Sequence, residues 1–302
     1  MKVFYRPEQV APTTSFSPSS LKPRLVVEDW LAIPELKVEV CGFDPVSTGQ
    51  LSLAHDPKYV RGVLDGEIAN GFGNTDALIA ASLPFTSGSM VAAAVYAVQH
   101  REVVWSPTSG FHHAEYAEAQ GFCTFNGLMV AALVLKKQGL VSRVAILDCD
   151  AHYGNGTDHI IKKLGLDWIV HKTQGAVFHS RKDAIGGKYE RWLDEAITAC
   201  LDCDLVLYQA GADPHVDDPL GGILTTEQMC ERDRQVFERL GHIPGVVTLA
   251  GGYQSVEGET AAQRLEPVLA LHRQTARLHS EILPIRTTSI AKPKKDHRAS
   301  KS

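Results

Sequence analysis

Asp150 and His152 stand two residues apart in Asp148-Cys149-Asp150-Ala151-His152. On an extended segment such residues point the same way, because successive side chains alternate faces. A carboxylate and an imidazole presented side by side suit zinc, and Asp213, from a neighbouring strand end, offers a third donor. Two aspartates and one histidine leave a coordination position open for water or a substrate carbonyl. A buried, hydrogen-bonded Asp/His pair with no metal is the plain alternative, and the spacing alone does not separate the two. His112-His113 follows a Pro/Gly-rich turn. Two imidazoles beside a metal can take a proton from water and return it to a leaving amine. Tyr253 follows two glycines, and its hydroxyl can donate to a carbonyl oxygen that is gaining charge.

These residues must be held by something. Short apolar runs at 38–42, 103–105, 144–147, 168–170, 205–208 and 246–249 read as strands. They are continuous rather than alternating, as in strands buried on both faces. Between them, 89–100, 126–138, 188–200, the stretch from the Thr225/Gln228 capping box to Gly241, and 265–283 read as helices. Strands alternating with helices predict an α/β fold with a mainly parallel central sheet. In such sheets ligands bind beyond the carboxyl ends of strands. His112-His113, Asp148–His152, Asp213 and Tyr253 each follow one of four expected strands within a few residues. The first 35 residues, rich in Pro and Ser, give no clear element.

Taken as a set, these segments resemble the zinc-dependent histone deacetylase and acetylpolyamine amidohydrolase family. The resemblance is carried by Pro107-Thr108-Ser109-Gly110-Phe111-His112-His113-Ala114, Gly121-Phe122-Cys123-Thr124-Phe125-Asn126, and the run from Asp148 through Asn155-Gly156-Thr157. Gly211-Ala212-Asp213 with Asp218-Pro219-Leu220-Gly221-Gly222, and Gly251-Gly252-Tyr253, complete it. It implies the family's three-layer α/β/α, arginase/deacetylase-like fold. It implies one zinc ion per chain on Asp150, His152 and Asp213. His113 is then the base that later serves as acid, and His112 its electrostatic partner. Asp148 orients His112, Asn155 orients His113, and Tyr253 polarises the scissile carbonyl. Gly121, Phe122, Phe178 and Leu220 would line a narrow substrate tunnel.

The chain departs from the family at several places. Tyr153 stands where most members have a second histidine, and Val177-Phe178-His179-Ser180 replaces the usual Phe-Phe-Pro-Gly. Many members bind a monovalent cation behind the zinc with a hydroxyl on the next strand. Here Ile169 or Val170 falls near that place, which puts such a site in question. A dimanganese ureohydrolase of the related arginase-like fold would need further aspartates where Gly154 and His215 stand. A non-catalytic binding module on the same scaffold would be expected to have lost a ligand or the tyrosine, and all are present. The expected substrate is an N-acylated amine, either acyl-lysine or a small acetylated metabolite. An acetylpolyamine is the alternative, and the short 59–89 stretch does not favour it.

Composition bounds the rest. The 302 residues carry 30 Lys and Arg against 35 Asp and Glu, for a net charge of −5. From residue 283 onward there are six basic residues and one acid, so 283–302 is expected to be a basic, disordered tail after a single catalytic domain, 1–282. The acidic body disfavours nucleic acid as the main partner. No run of 18 apolar residues is present, so no membrane-spanning helix is expected. The start lacks a signal-peptide pattern, and cytoplasmic residence is the expectation. The six cysteines read as reduced packing thiols, and the sequence leaves the oligomeric state open.

Overall fold

The computed structural model describes residues 1–13 and 15–283; nearly all of the basic stretch lies outside the described residues. Seven strands form one parallel sheet: β1 (Lys2–Phe4), β2 (Glu39–Cys41), β3 (Val103–Trp105), β4 (Val144–Asp148), β5 (Ile169–Thr173), β6 (Leu205–Gln209) and β7 (Gly245–Thr248). Their spatial order is β2-β1-β3-β7-β6-β4-β5. The four strands whose following loops carry the candidate residues, β3, β7, β6 and β4, are therefore consecutive in the middle of the sheet. Parallel pairing brings their carboxyl ends to one edge.

The helices are α1 (Lys22–Leu31), α2 (Thr48–Leu51), α3 (Pro57–Leu64), α4 (Ala77–His100), α5 (Gly127–Lys137), α6 (Asn155–Leu164), α7 (Arg181–Ala184), α8 (Lys188–Cys200), α9 (Thr226–Leu240), α10 (Ala261–Arg264) and α11 (Glu266–Ile282). They cover both faces. Ala145, Leu147, Val206 and Tyr208 join a core with residues of α1, α8, α9 and α11. The alternate residues Val144, Ile146, Leu205 and Leu207 join a second core with α3, α4, α5 and α6. Every residue of β4 and β6 is buried, which is why both strands read as unbroken apolar runs. The α/β/α expectation holds.

Two elements illustrate where the structure differs from the sequence reading. Strand β1 lies within the unassigned N-terminal segment; at three residues it is too short to show a period. Helix α4 begins at Ala77, twelve residues earlier than expected, and runs through Pro84. Tertiary contacts override the breakers there: Ser89 Oγ donates to Phe4 O, and the Pro84 carbonyl accepts from Val46 N. Helix α4 is also the one described helix long and apolar enough to cross a membrane by length and composition. Most of it is buried against the sheet and α5, as in a core helix.

Arg232 of α9 anchors the two central loops from beneath. Its side chain is 1% exposed and pairs with Asp233 at 2.8 Å. Its Nη1 donates to the carbonyls of Gly211 at 2.9 Å and Cys149 at 3.3 Å. Asp233 in turn accepts from the hydroxyls of Tyr208 and Thr275. Removing one partner of a buried pair leaves the other charge uncompensated, at a cost of about 3–5 kcal/mol. Arg232→Ala is expected to lose that much stability in urea unfolding. A change below about 1 kcal/mol, the size typical of an exposed pair, would mean that the pair does not anchor these loops.

Candidate active site

The Asp150 and His152 side chains leave the loop after β4, and Asp213 leaves the loop after β6. His152 Nδ1 lies 3.0 Å from Asp150 Oδ1 and 2.9 Å from Asp213 Oδ2. One donor atom from each residue falls within 4.8 Å of the others, and this is the metal-competent group found among the described residues. Both carboxylates are buried. Burial, and then the neighbouring Asp150 charge, pushes Asp213 up to about 7, the sign expected of two acids confined together. Backbone N–H groups fix the remaining oxygens: Gly251 N donates to Asp150 Oδ2 at 2.7 Å and Ala151 N to Asp213 Oδ1 at 3.2 Å. A Cβ at residue 251 would meet Asp213 Oδ2 at 2.3 Å, so glycine is required for that approach. Two carboxylates and an imidazole, convergent and buried, fit a divalent metal with one position left open. His215, near Asp213, bonds Thr226 Oγ1 through Nε2 instead.

His112 and His113 lie beside this group, their rings tilted against each other with centroids 4.1 Å apart. His112 Nδ1 meets Asp148 Oδ2 at 2.8 Å, and its Nε2 lies 3.7 Å from Asp150 Oδ1. Burial lowers the His112 pKa, but Asp148 and Asp150 outweigh it and raise it to about 9. His113 goes the other way: burial, then the charge on His112, lowers it to about 4. One imidazole is thus held charged and its neighbour neutral. His113 Nδ1 meets Asn155 Oδ1 at 2.6 Å. The Asn155 amide donates to Glu115 Oε1 and Gln120 Oε1, which turns its oxygen toward His113. An oxygen acceptor there selects the Nδ1–H tautomer and leaves Nε2 free to accept a proton. Asn155 begins α6, and Gly156 lets that helix approach: a Cβ there would lie 2.4 Å from Ala114 O.

A carboxylate at residue 155 would stabilise the imidazolium that an amide does not. Asn155→Asp is therefore expected to move the acid limb of kcat/KM to higher pH by about one unit. Bound metal is measured in parallel, since its loss at low pH imitates the limb. An unmoved limb with metal retained would mean that His113 is not the titrating base.

Tyr253 lies after β7, and its ring centroid is 6.4 Å from that of His152. Burial, then the charges on Asp150 and Asp213, raise its pKa, so the hydroxyl remains a proton donor at neutral pH. Asp218 clamps the loop by accepting from Tyr253 N at 2.7 Å and Gln254 N at 3.2 Å. Lys22 of α1 is fully buried and donates to Ala250 O on the same loop. Burial lowers it to about 8, against the pull of Asp213, Asp150 and Asp218. The sequence reading gave Asp218 no role and missed Lys22, which sits in a stretch where no element was assigned.

A cleft of about 400 Å³ opens over the group, lined by His113, Gly121, His152, Asn155, His179 and Leu220 among others. Gly121 packs its backbone on the base: a Cβ there would meet His113 Cδ2 at 2.4 Å. Phe122 stands beside Tyr253, with ring centroids 6.2 Å apart, flanked by Phe16 and Phe72. Phe178 does not line the cleft. Its ring is 2% exposed and packs on Tyr189 and Trp192 in the core. The 3-10 turn Gln174–Ala176 directs it inward, with Phe178 N bonded to Gln174 O at 3.0 Å. His179 and Gly175 line the cleft in its place.

The chain matches known proteins in sequence and in fold. The histone deacetylase domain family matches residues 21–180, just over half of the chain. An uncharacterized protein of Picosynechococcus sp. is 27% identical over 226 residues, which cover 67% of this chain and 75% of the relative. Histone deacetylase 2 of Arabidopsis thaliana is 28% identical over 177 residues, which cover 52% of this chain and 46% of the relative. The match thus spans three quarters of one relative and less than half of the other. The crystal structure of an acetylpolyamine aminohydrolase from Burkholderia pseudomallei superposes with a TM-score of 0.70 at 19% identity. The overlap covers 93% of this chain and 99% of that one, a likeness of fold.

Proposed function

Because the chain belongs to the histone deacetylase family, we propose that its cleft hydrolyses the amide of an N-acylated amine, with one zinc ion held by Asp150, His152 and Asp213. The observation that carries this reading is the convergence of those three donors beside a charged His112 and a neutral His113. When bound, the ion supplies Lewis-acid activation of the acyl carbonyl and of water. His113 Nε2 takes the proton from the attacking water and delivers it to the leaving nitrogen as the C–N bond breaks. Acetate, or another short carboxylate, and a free amine are released. Asn155 keeps the neutral His113 in the tautomer this requires, and Asp148 orients the charged His112. The Tyr253 hydroxyl donates to the carbonyl oxygen as it gains charge.

Acyl-lysine or a small acetylated amine is the substrate class we favour. Residues 65–76 between α3 and α4 form only a short connection, with no insertion to constrict the entrance. The mouth, with Gln120, Tyr153, His179 and Leu220, presents no carboxylate and offers ring and aliphatic surface that suits a thin alkyl chain. Purified zinc-loaded protein is to be assayed against acetyl-lysine peptides, acetylputrescine and acetylspermidine. Acyl release from the lysine peptides is expected to exceed release from either polyamine. A strong preference for acetylspermidine would overturn the substrate assignment, and no release from any of them would overturn the deacylase reading.

A further inference from the structure

Behind the metal group, Asp148 is surrounded by nitrogen. Its Oδ2 meets His112 Nδ1, while its Oδ1 accepts from Gln209 Nε2 at 2.8 Å and from Asp150 N at 3.2 Å. From β5, paired in register with Ile146 of β4, His171 projects beneath it. The His171 side chain is 3% exposed. Its Nδ1 lies 2.6 Å from Asp158 Oδ1, and its Nε2 lies 3.9 Å from Asp148 Oδ2 with no hydrogen-bond partner of its own. Gly154 closes the space: a Cβ there would meet Asp148 Oδ2 at 2.6 Å and the His171 ring at 3.1 Å. It is thus His171, not Ile169 or Val170, that β5 presents behind the metal.

A monovalent cation in this place would need a shell of oxygen donors. The residues do not fit one: an imidazole ring occupies the space, and Thr173 Oγ1, the nearby hydroxyl of β5, already accepts from Gly154 N at 3.1 Å. We propose that His171 is a positioning residue that serves as a built-in cation, wedged between Asp148 and Asp158 and orienting the Asp148–His112 pair without a bound monovalent ion. Carboxylates at both ends of the ring favour its charged form over the desolvation that opposes it. Asp158 is itself held by the Tyr153 hydroxyl. Tyr153, the residue that replaces the family's second histidine, thereby becomes part of the same device. The inference rests on the deacylase reading for its activity readout but not for its stability readout.

The test uses the zinc-loaded full chain in potassium, sodium or tetramethylammonium chloride at one fixed ionic strength. Wild-type kcat on an acetyl-lysine peptide and wild-type Tm are expected to be the same in all three. His171→Ser is expected to lower kcat by roughly 10- to 100-fold, the usual cost of an outer-shell partner, with zinc content retained. Potassium should then restore part of the loss and raise the variant's Tm, while tetramethylammonium does neither. Potassium dependence of the wild type would overturn the proposal, as would wild-type kcat in His171→Ser or a loss that no cation restores. Were His171→Ser unable to fold, Asp158→Asn, at a position 42% exposed, is expected to lower kcat at unchanged zinc content. Wild-type kcat in that variant would overturn the proposal. If no N-acyl amine is turned over, the deacylase reading has failed, and the Tm series still decides the role of His171.

Discussion

Asp213→Ala is expected to leave a folded, soluble chain that holds no stoichiometric zinc and shows essentially no acyl release. Three side chains supply the whole donor set, and two are too few for a structural or catalytic zinc site. The ion's activation of carbonyl and water amounts to several kcal/mol of transition-state stabilisation. At 1.36 kcal/mol per tenfold in rate, the loss is on the order of a thousandfold or more. The fold should tolerate the change. Without metal, Asp213 is a buried acid crowded against Asp150 and pushed up to about 7, so removing it relieves repulsion while giving up its bonds to His152 Nδ1 and Ala151 N. The metal-free Tm of the variant is therefore expected to stay close to that of metal-free wild type, as read by thermal unfolding after chelation. A variant retaining one zinc and a tenth of the activity would place the metal elsewhere.

Tyr253→Phe is expected to lower kcat by roughly a hundredfold or more, the cost of one oxyanion donor. The ground-state carbonyl carries little charge and the transition-state oxygen carries much, so the hydroxyl stabilises the latter selectively. KM should change far less than kcat, and zinc content should not change, since Tyr253 is not one of the three metal-competent donors. Asp218 holds this loop through backbone N–H groups, and the substitution leaves those bonds intact. A kcat within a factor of a few of wild type would remove Tyr253 from the oxyanion role.

Much of this site could be read from the sequence because the sheet is buried on both faces. Unbroken apolar runs such as 144–147 and 205–208 read as strands buried on both faces, and polar motifs directly after such strands lie at the carboxyl edge. The order β3-β7-β6-β4 then brings together four loops that are up to about 140 residues apart in the chain. What escaped the sequence reading was set by tertiary contact. Phe178 sits one residue from the cleft-lining His179, and a single 3-10 turn decides which of them faces inward. Lys22 lies in a stretch that gave no clear element and Arg232 on a helix rich in charged residues, yet both are fully buried beneath the loops. His171 lies on a strand with mixed burial, so no period flags its orientation; only its pairing with Ile146 puts it under Asp148.

We propose that one metal, held by Asp150, His152 and Asp213, makes this cleft an amidohydrolase. It is tested most directly by titrating chelated, metal-free protein with zinc while following acetate release from an acetyl-lysine peptide. Activity is predicted to rise linearly from near zero and to break sharply at about one zinc per chain, as a single three-donor site requires. Full activity in the chelated protein, a break at two metals per chain, or zinc binding at that stoichiometry with no acyl release from any N-acyl amine would contradict it.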